Sequence, residues 1–236
     1  MDTLKEIRDA LMSDMNVDST STLYPEATLN SAINRAYRKA GALFPWADLQ
    51  DAKKTSTVSG QEYYDYPTNW RSKSIWRIEV DGEKYGEDPD GSPLSFDDYL
   101  VWREDNPSAT DKKWATQQRR YFINPVPTAN GTNNLHVWGI MVTETLSEDG
   151  DITIFSYSTP EGNEAVLLEA KAILKSKGDD LKTTDFKSKE AKELLAIAWG
   201  KERDEDAKYE KNQPMWEVND MFGAGSSKDL RGRFDI

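Results

Sequence analysis

The chain has 236 residues and a formal net charge of −12, and it contains no cysteine. The absence of cysteine excludes disulfide bonds, thiolate nucleophiles and cysteine-based metal sites. No segment approaches the roughly 20 consecutive apolar residues of a membrane-spanning helix. Residues 1–12 alternate charged and apolar side chains instead of forming a signal core, so we predict a soluble protein made in a cytoplasm.

The acidic residues are concentrated in the middle of the chain, where residues 46–160 hold 19 acids against 11 bases. This excess argues against a surface that grips duplex DNA, because such surfaces use Lys and Arg to displace condensed counterions. Two explanations stay open. The acidic surface could let DNA slide past it, or it could serve solubility alone.

Two amphipathic helices are predicted at the start of the chain. A short first helix, ending near Met12, is predicted from apolar residues on one helical face: Leu4, Ile7 and Leu11. Apolar residues recur every three or four positions over residues 26–43, and Pro25 suits a first helical position. Pro45 cannot continue this second helix, so we expect the chain to leave it just before that residue.

Beyond the second helix, short β-branched and aromatic runs separated by turn residues are typical of strands. Five strands are predicted: residues 53–58, 62–66, 74–80, 119–123 and 135–142. Asp81 and Gly82 form a hairpin turn after the third strand. A helix over residues 95–103, with Ser95 as its N-cap, interrupts the strands.

Two further helices are predicted in the last third of the chain. Thr159-Pro160-Glu161 is a strong helix start, and its helix should run to about Lys177. The next helix should begin at Thr184 or Asp185 and continue to Lys211. Residues 201–211 carry almost no apolar side chain, which indicates an exposed surface or a seam between subunits.

These elements predict an α+β fold with three parts. Residues 1–45 and 160–211 form a helical bundle, residues 46–159 form an antiparallel β-rich insertion, and residues 212–236 form an extended C-terminal tail. The tail has no periodicity yet carries long apolar side chains, so it should dock onto a partner. Its folding back onto its own domain is the alternative.

Residues for catalysis are scarce. The only histidine, His136, lies inside an alternating strand pattern, which is a poor place for a catalytic base. Adjacent carboxylates such as Asp97-Asp98, Glu104-Asp105 and Asp179-Asp180 point about 100° apart on a helix and do not converge on one bond. We therefore predict no enzyme activity, no catalytic residue, no cofactor and no metal site.

Aromatic residues are numerous, with eight Trp and ten Tyr in the chain. An aromatic-rich β region could be a stacking platform, so a carbohydrate- or receptor-binding module is the alternative function. The ordinary explanation is that these side chains fill a small core or a subunit interface. The candidates are spread over several elements: Tyr63, Tyr64, Tyr66, Trp70, Trp76 and Trp102.

The order of elements resembles the head-to-tail adaptor proteins of tailed bacteriophages, which include the tail tubular or gatekeeper proteins of short-tailed phages. The resemblance covers nearly the whole chain. It is carried by the opening helix, by the helix with LNSAINRAYRK at residues 29–39, by RYFINPVP at residues 120–127, and by two late helices followed by a tail.

The resemblance implies a structural protein of the virion neck, made in the host bacterium. Such proteins form a closed ring of about twelve copies beneath the portal protein, a head-to-tail association that closes. The ring extends the channel through which double-stranded DNA passes without sequence-specific binding. It also provides the platform for a downstream tail, nozzle or stopper protein, and no membrane is involved.

Two sets of residues are predicted to make these contacts. The tail is expected to bind the portal through apolar anchors and charged partners: Met215, Trp216, Phe222, Arg231, Arg233 and Phe234. The last helix is expected to form the seam between subunits, through side chains of both charge signs: Lys201, Arg203, Glu205 and Lys208.

Overall fold

The computed structural model describes residues 3–18, 20–86, 91–106, 110–156, 159–176, 186 and 188–209. The chain divides into two compact units, one formed by residues up to Leu49 and from Thr143 onward, the other by Gln50–Val142. Helices dominate the first unit and antiparallel sheets the second. The predicted α+β class is confirmed.

The first helix, α1 (Leu4–Met15), begins at a capping box. The Thr3 hydroxyl accepts a hydrogen bond from the Glu6 N–H, and the Glu6 carboxylate accepts one from the Thr3 N–H. The helix continues past the predicted end near Met12, because its last turn is closed by Asn16 in the left-handed conformation.

The second helix, α2 (Glu26–Leu43), has the predicted bounds. Pro25, expected at the first helical position, instead precedes the helix as its extended cap residue, with φ −62° and ψ 154°. The chain leaves the helix through Phe44, which is extended, ahead of Pro45. The buried face of α2 consists of the side chains that the spacing predicted, namely Leu29, Ile33, Tyr37 and Ala40.

Two later helices complete the helical unit: α4 (Pro160–Lys175) and α5 (Lys189–Tyr209). A shorter helix, α3 (Phe96–Asp105), belongs to the other unit and is capped by Ser95 as predicted. Helices α2 and α5 both pack on α4, and α1 contacts α2 and α4. The predicted start of α5 at residues 184–185 and its end at residue 211 lie outside the described residues.

An aromatic cluster forms part of the core of the helical unit. The Trp46 ring lies 5.0 Å from Phe155 and is edge-on to it, while Phe44 stacks on Trp199 at 5.5 Å. Gly162 makes room for this packing, because a Cβ there would lie 2.3 Å from the Phe155 ring. Residues from the start of the chain and from its last third therefore share one core.

In its described residues the β unit has seven strands: β1 (Gln50–Thr55), β2 (Tyr63–Asp65), β3 (Arg77–Val80), β4 (Glu83–Tyr85), β5 (Lys113–Gln117), β6 (Arg120–Asn124) and β7 (Leu135–Ile140). They form a four-stranded sheet in the order β1-β7-β3-β4 and a three-stranded sheet in the order β2-β6-β5. All these pairings are antiparallel.

All five predicted strands overlap an observed one. The strand predicted over residues 53–58 is displaced, because the segment that pairs with β7 is Gln50–Thr55. Strands β4 and β5 were not predicted at all. The hairpin turn is confirmed, with Asp81 at φ 53° and Gly82 at φ 80°, the backbone that a two-residue turn requires.

The two sheets face each other across one apolar core. Ile78, Val80, Leu135 and Val137 contribute from the four-stranded sheet. Tyr64, Trp114, Tyr121 and Ile123 contribute from the three-stranded sheet. Trp70 is fully buried in this core. Its ring packs directly against Gly139, where a Cβ would lie only 2.4 Å from the ring.

Helix α3 covers the outer side of the three-stranded sheet. Phe122 points away from the core, and its ring lies 4.9 Å from Phe96 and 6.3 Å from Tyr99. Arg103 forms an ion pair with Glu62 at the edge of the same surface. The β unit therefore has three layers: the four-stranded sheet, the three-stranded sheet and α3.

Candidate assembly surfaces

A buried arginine connects three distant segments of the helical unit. The Arg8 guanidinium donates to Glu26 at 2.5 Å and to Asp149 at 2.8 Å. The Arg8 side chain is only 9% exposed, whereas both carboxylates are more than half exposed. Asn34 makes a similar long-range link, since its side-chain amide exchanges two hydrogen bonds with the backbone of Leu146.

A second buried charge pair lies between α2 and α4. Lys39 Nζ is 2.9 Å from Glu169 Oε1, and the Glu169 side chain is completely buried. The other carboxylate oxygen accepts a hydrogen bond from the backbone N–H of Ser188, just before α5 begins. These bonds fix the positions of α2, α4 and the start of α5 relative to one another.

The residues predicted at a subunit seam lie on the last part of α5. Lys201 is 54% exposed and forms an ion pair with Glu161 of the same chain. The hydrogen bond that Lys201 donates within this pair lowers the pKa of the Glu161 carboxyl. Arg203 is half-buried. Glu205 and Lys208 lie within the helix, but their side chains are outside the described residues.

The residues predicted to bind a portal fall outside the part of the chain that the structure describes. They are Met215, Trp216, Phe222, Arg231, Arg233 and Phe234. Their role stays a prediction.

The residues considered for chemistry have ordinary surroundings. His136 points its Nε2 at the carbonyl oxygen of Asn133, 3.1 Å away. The Asp98 carboxylate accepts a hydrogen bond from the Ser95 hydroxyl, which in turn accepts one from the Asp98 N–H, as in an ordinary helix cap. Among the described residues, no group of three or more His, Asp or Glu side chains could hold a metal ion. No described helix is long and apolar enough to cross a membrane.

The aromatic residues considered as a stacking platform do not share one surface. Tyr64, Tyr66 and Trp70 are buried in the core of the β unit. Trp76 and Trp102 are half-buried, and Tyr63 is exposed with the Arg120 guanidinium 4.7 Å from its ring centre. Their dispersal gives the carbohydrate-binding alternative little support, because sugar stacking needs coplanar exposed rings.

The outer side of the four-stranded sheet carries a basic and aromatic surface. We call it the sheet face, and it consists of Ala52, Lys54, Arg77, Glu79, Lys84, His136 and Trp138. One row of cross-strand neighbours runs from Lys54 through His136 and Glu79 to Lys84. In the next row the Arg77 guanidinium lies 4.8 Å from the ring centre of Trp138 and is also paired with Glu79.

The outward side of α3 carries an acidic and aliphatic surface. We call it the helix face, and it consists of Asp97, Asp98, Leu100, Val101, Glu104 and Asp105. Leu100 is 41% exposed and Val101 is 59% exposed, although both are large apolar residues. They are exposed because Phe96 and Tyr99 occupy the side of the helix that faces the sheet.

Comparison with known families identifies the type of protein. A model of the SU10 adaptor protein family matches residues 2–210. The chain belongs to the SU10 adaptor protein family. It is therefore an adaptor of a bacteriophage and a structural component of the virion, and the predicted resemblance is confirmed at the level of the family. The comparison with curated proteins found no match.

The sheet face and the helix face are two exposed surfaces of the β unit that could contact other proteins. Neither the sheet face nor the helix face was identified from sequence. The alternation of His136 and Trp138 with buried Leu135 and Val137 was the available signal for the sheet face. The exposed pair Leu100 and Val101, set among acids on a capped helix, was the signal for the helix face.

Proposed function

We propose that this protein is a ring-forming head-to-tail adaptor. Its copies bind beneath the portal, extend the DNA channel, and provide the platform to which a downstream tail, nozzle or stopper protein attaches. The match of the adaptor family to residues 2–210 carries the proposal. Ring formation with about twelve copies follows the resemblance, because subunits that associate head to tail generate a ring when the rotation closes.

The charge of the chain supports a channel that DNA traverses without being held. Duplex DNA binds proteins mainly through Lys and Arg contacts to its phosphates. With a net charge of −12, the chain offers an unfavourable field to a polyanion. DNA would pass such a ring with little adhesion, as ejection requires.

The C-terminal tail is our candidate for binding the portal. Trp216 and Phe222 would supply apolar anchors, while Arg231 and Arg233 would pair with acidic groups of the portal. A segment of this composition has too little apolar surface to fold alone, but it can order itself on a partner. Met215 and Phe234 would extend the same apolar contact.

The end of α5 is our candidate for a contact between neighbouring subunits in the helical unit. Lys201 lies about one turn beyond Ile197, which is 51% exposed, and Arg203 follows two residues later. An exposed aliphatic residue surrounded by charges of both signs has the composition of a small interface with a polar rim. Glu205 and Lys208 would extend the charged part.

The first experiment measures the mass of the assembly. The purified protein is examined by mass photometry alone and after mixing with the assembled portal protein from the same phage. We expect the protein to add to the portal in a single step of about twelve copies, as a closed ring requires. A portal that gains no mass would refute the adaptor function and would favour the binding-module alternative.

The tail is tested separately by deletion of residues 213–236. We expect the truncated chain to keep its circular dichroism spectrum and its unfolding midpoint while losing portal binding. A combined W216A/F222A variant should weaken binding without removing the tail. Portal binding that survives the deletion would show that another surface makes the contact.

A further inference from the structure

The sheet face and the helix face lie on opposite sides of the β unit. The inner sides of both sheets meet in one core, so the sheet face is the outside of the first layer. Helix α3 packs on the outside of the second sheet through Phe96, Tyr99 and Phe122, so the helix face is the outside of the third layer. Two neighbouring copies could therefore meet with one face each, and a third copy could continue the row.

The two faces are complementary in charge. The sheet face carries Lys54, Lys84 and Arg77, with Glu79 as its one acid in the two rows described above. The helix face carries carboxylates alone: Asp97, Asp98, Glu104 and Asp105. The basic surface stands out because the chain as a whole has 42 acids against 30 bases.

The two faces are also complementary in apolar groups. Trp138 presents a half-buried ring on the sheet face, beside the exposed methyl of Ala52 on the neighbouring strand. Leu100 and Val101 present aliphatic side chains on the helix face. An aromatic ring against aliphatic residues, with charges around them, is the usual arrangement of an interface with an apolar centre and a polar rim.

Like faces would repel each other. Two helix faces brought together would oppose four carboxylates with four others, and two sheet faces would oppose lysines with lysines. Such like-charge contacts are unfavourable in an interface and suppress the wrong pairing. The charges thus disfavour a two-fold dimer through either face and favour a contact between unlike faces, which is the type that generates a ring.

We infer that the β units of neighbouring copies associate by docking the helix face of one copy onto the sheet face of the next. Val101 and Leu100 pack beside Trp138 and Ala52, and Glu104 and Asp105 approach Lys54 and Lys84. The occupant of the sheet face is thus a second copy of this chain. This inference rests on the proposed ring and adds to it a contact distinct from the one proposed on α5.

Cysteine cross-linking tests the contact directly, because the natural chain has no cysteine. Ala52→Cys on the sheet face and Val101→Cys on the helix face are both at exposed positions. The A52C/V101C variant is assembled on the portal, treated with a short bis-maleimide and run on a denaturing gel. We expect a ladder of covalent oligomers, whereas A52C alone and V101C alone stay monomeric.

A matched control and the order of measurements separate the outcomes. In A129C/V101C the first cysteine replaces another exposed alanine, in the loop between β6 and β7, and we expect only monomers. The mass of the unmodified assembly is measured first. A ring without a ladder overturns this contact and leaves the adaptor function standing, as does a dimer of V101C alone. The absence of any ring refutes both proposals.

Charge exchange provides a second test that needs no cross-linker. K54E/K84E and E104K/D105K each place like charges across the contact, and we expect each to weaken subunit association by about tenfold or more. Combining all four changes restores opposite charges and should recover association. A combination as weak as either parent, in variants with unchanged unfolding midpoints, would overturn the pairing of these faces.

Discussion

Replacing Lys39 with methionine should strongly destabilise the helical unit. The change keeps most of the length of the side chain but removes the cation that neutralises Glu169. Because the Glu169 side chain is completely buried and 2.9 Å from Lys39 Nζ, the carboxylate would remain inside the protein without that partner. A buried charge that loses its partner is far more costly than the pair itself is stabilising.

The size of the effect follows from burial. The Lys39 side chain is 10% exposed and that of Glu169 is 0% exposed, so water screens the pair weakly. Removing one member of such a pair costs about 3–5 kcal/mol. For a protein of this size, each kcal/mol corresponds to about 2–4 °C in melting temperature, so K39M should lower Tm by roughly 6–20 °C.

An exposed pair on the same set of helices provides the matched control. Lys189 and Glu193 are 3.8 Å apart on α5, with side chains 72% and 57% exposed. K189M should cost no more than about 0.5 kcal/mol, because solvent screens this pair. The double variant K39M/E169L should recover most of the loss, since neither charge then remains buried, although the hydrogen bond from Ser188 is lost.

The assay is urea unfolding followed by far-ultraviolet circular dichroism, which reports mainly on the helices. Equal slopes for the natural chain and each variant would allow their midpoints to be compared as free energies. If K39M shifted the midpoint no more than K189M does, the assignment of Lys39 as the essential neutralising partner of a buried carboxylate would be wrong.

Three further predictions concern single positions. Gly139→Ala should cost about 1–3 kcal/mol in urea unfolding followed by Trp fluorescence, because the new Cβ would lie 2.4 Å from the Trp70 ring. Asn34→Ala should cost about 2–6 kcal/mol in thermal unfolding, because the backbone N–H and carbonyl of Leu146 both lose a buried partner. Burial raises the pKa of Tyr37 to about 12, so the folded protein keeps the phenol proton at a pH near 10, where the unfolded chain releases it. The stabilisation from this difference is complete below about pH 10 and should be lost as the pH rises to about 12. Unfolding midpoints measured across that range test this.

Each of these predictions has a control in the chain. Gly150→Ala should be nearly neutral, because a Cβ there meets nothing within 4 Å. Asn30→Ala, one turn before Asn34 on α2, should cost less than Asn34→Ala, since the Asn30 side chain accepts only a long hydrogen bond of 3.4 Å from Arg8. Tyr37→Phe should reduce the alkaline loss, and an unchanged profile would assign that loss to other tyrosines.

The helices could be predicted because local spacing specifies them. Residues 26–43 have a regular apolar face and a proline beyond their end, and the observed helix has those bounds. The end of α1 was missed, because Ser13 and Asp14 add no apolar signal. The helix ends because Asn16 adopts the left-handed backbone conformation. Asn adopts this conformation only occasionally, so its presence in the sequence does not predict a helix end.

The strands were less predictable because partners decide them. The sequence of β1, QDAKKT, has neither alternation nor β-branched residues before its last position, and it is a strand because β7 pairs with it. Strand β4 forms as the return of the Asp81-Gly82 hairpin, and β5 has one large core residue, Trp114. A pattern within one strand cannot report such pairings.

The surfaces proposed for assembly depend on register in the same way. His136 and Trp138 could be assigned to an outward side from their alternation with buried residues. That Lys54, Arg77 and Lys84 join them across three neighbouring strands follows only from the pairing. The helix face was nearer to prediction, because Leu100 and Val101 follow a correctly predicted N-cap.

The pairing of Gln50 with Ile140 has a consequence for how such a protein can form and diversify. The β unit leaves and re-enters the helical unit through two adjacent antiparallel strands, so once it has folded its two ends lie side by side. Once the β unit has folded, the segment Gln50–Val142 therefore adds little more to the loop-closure entropy between the helices before and after it than a tight turn would. The β unit could be exchanged for another of different size, and the helices that meet through Arg8 and Glu169 would still find each other.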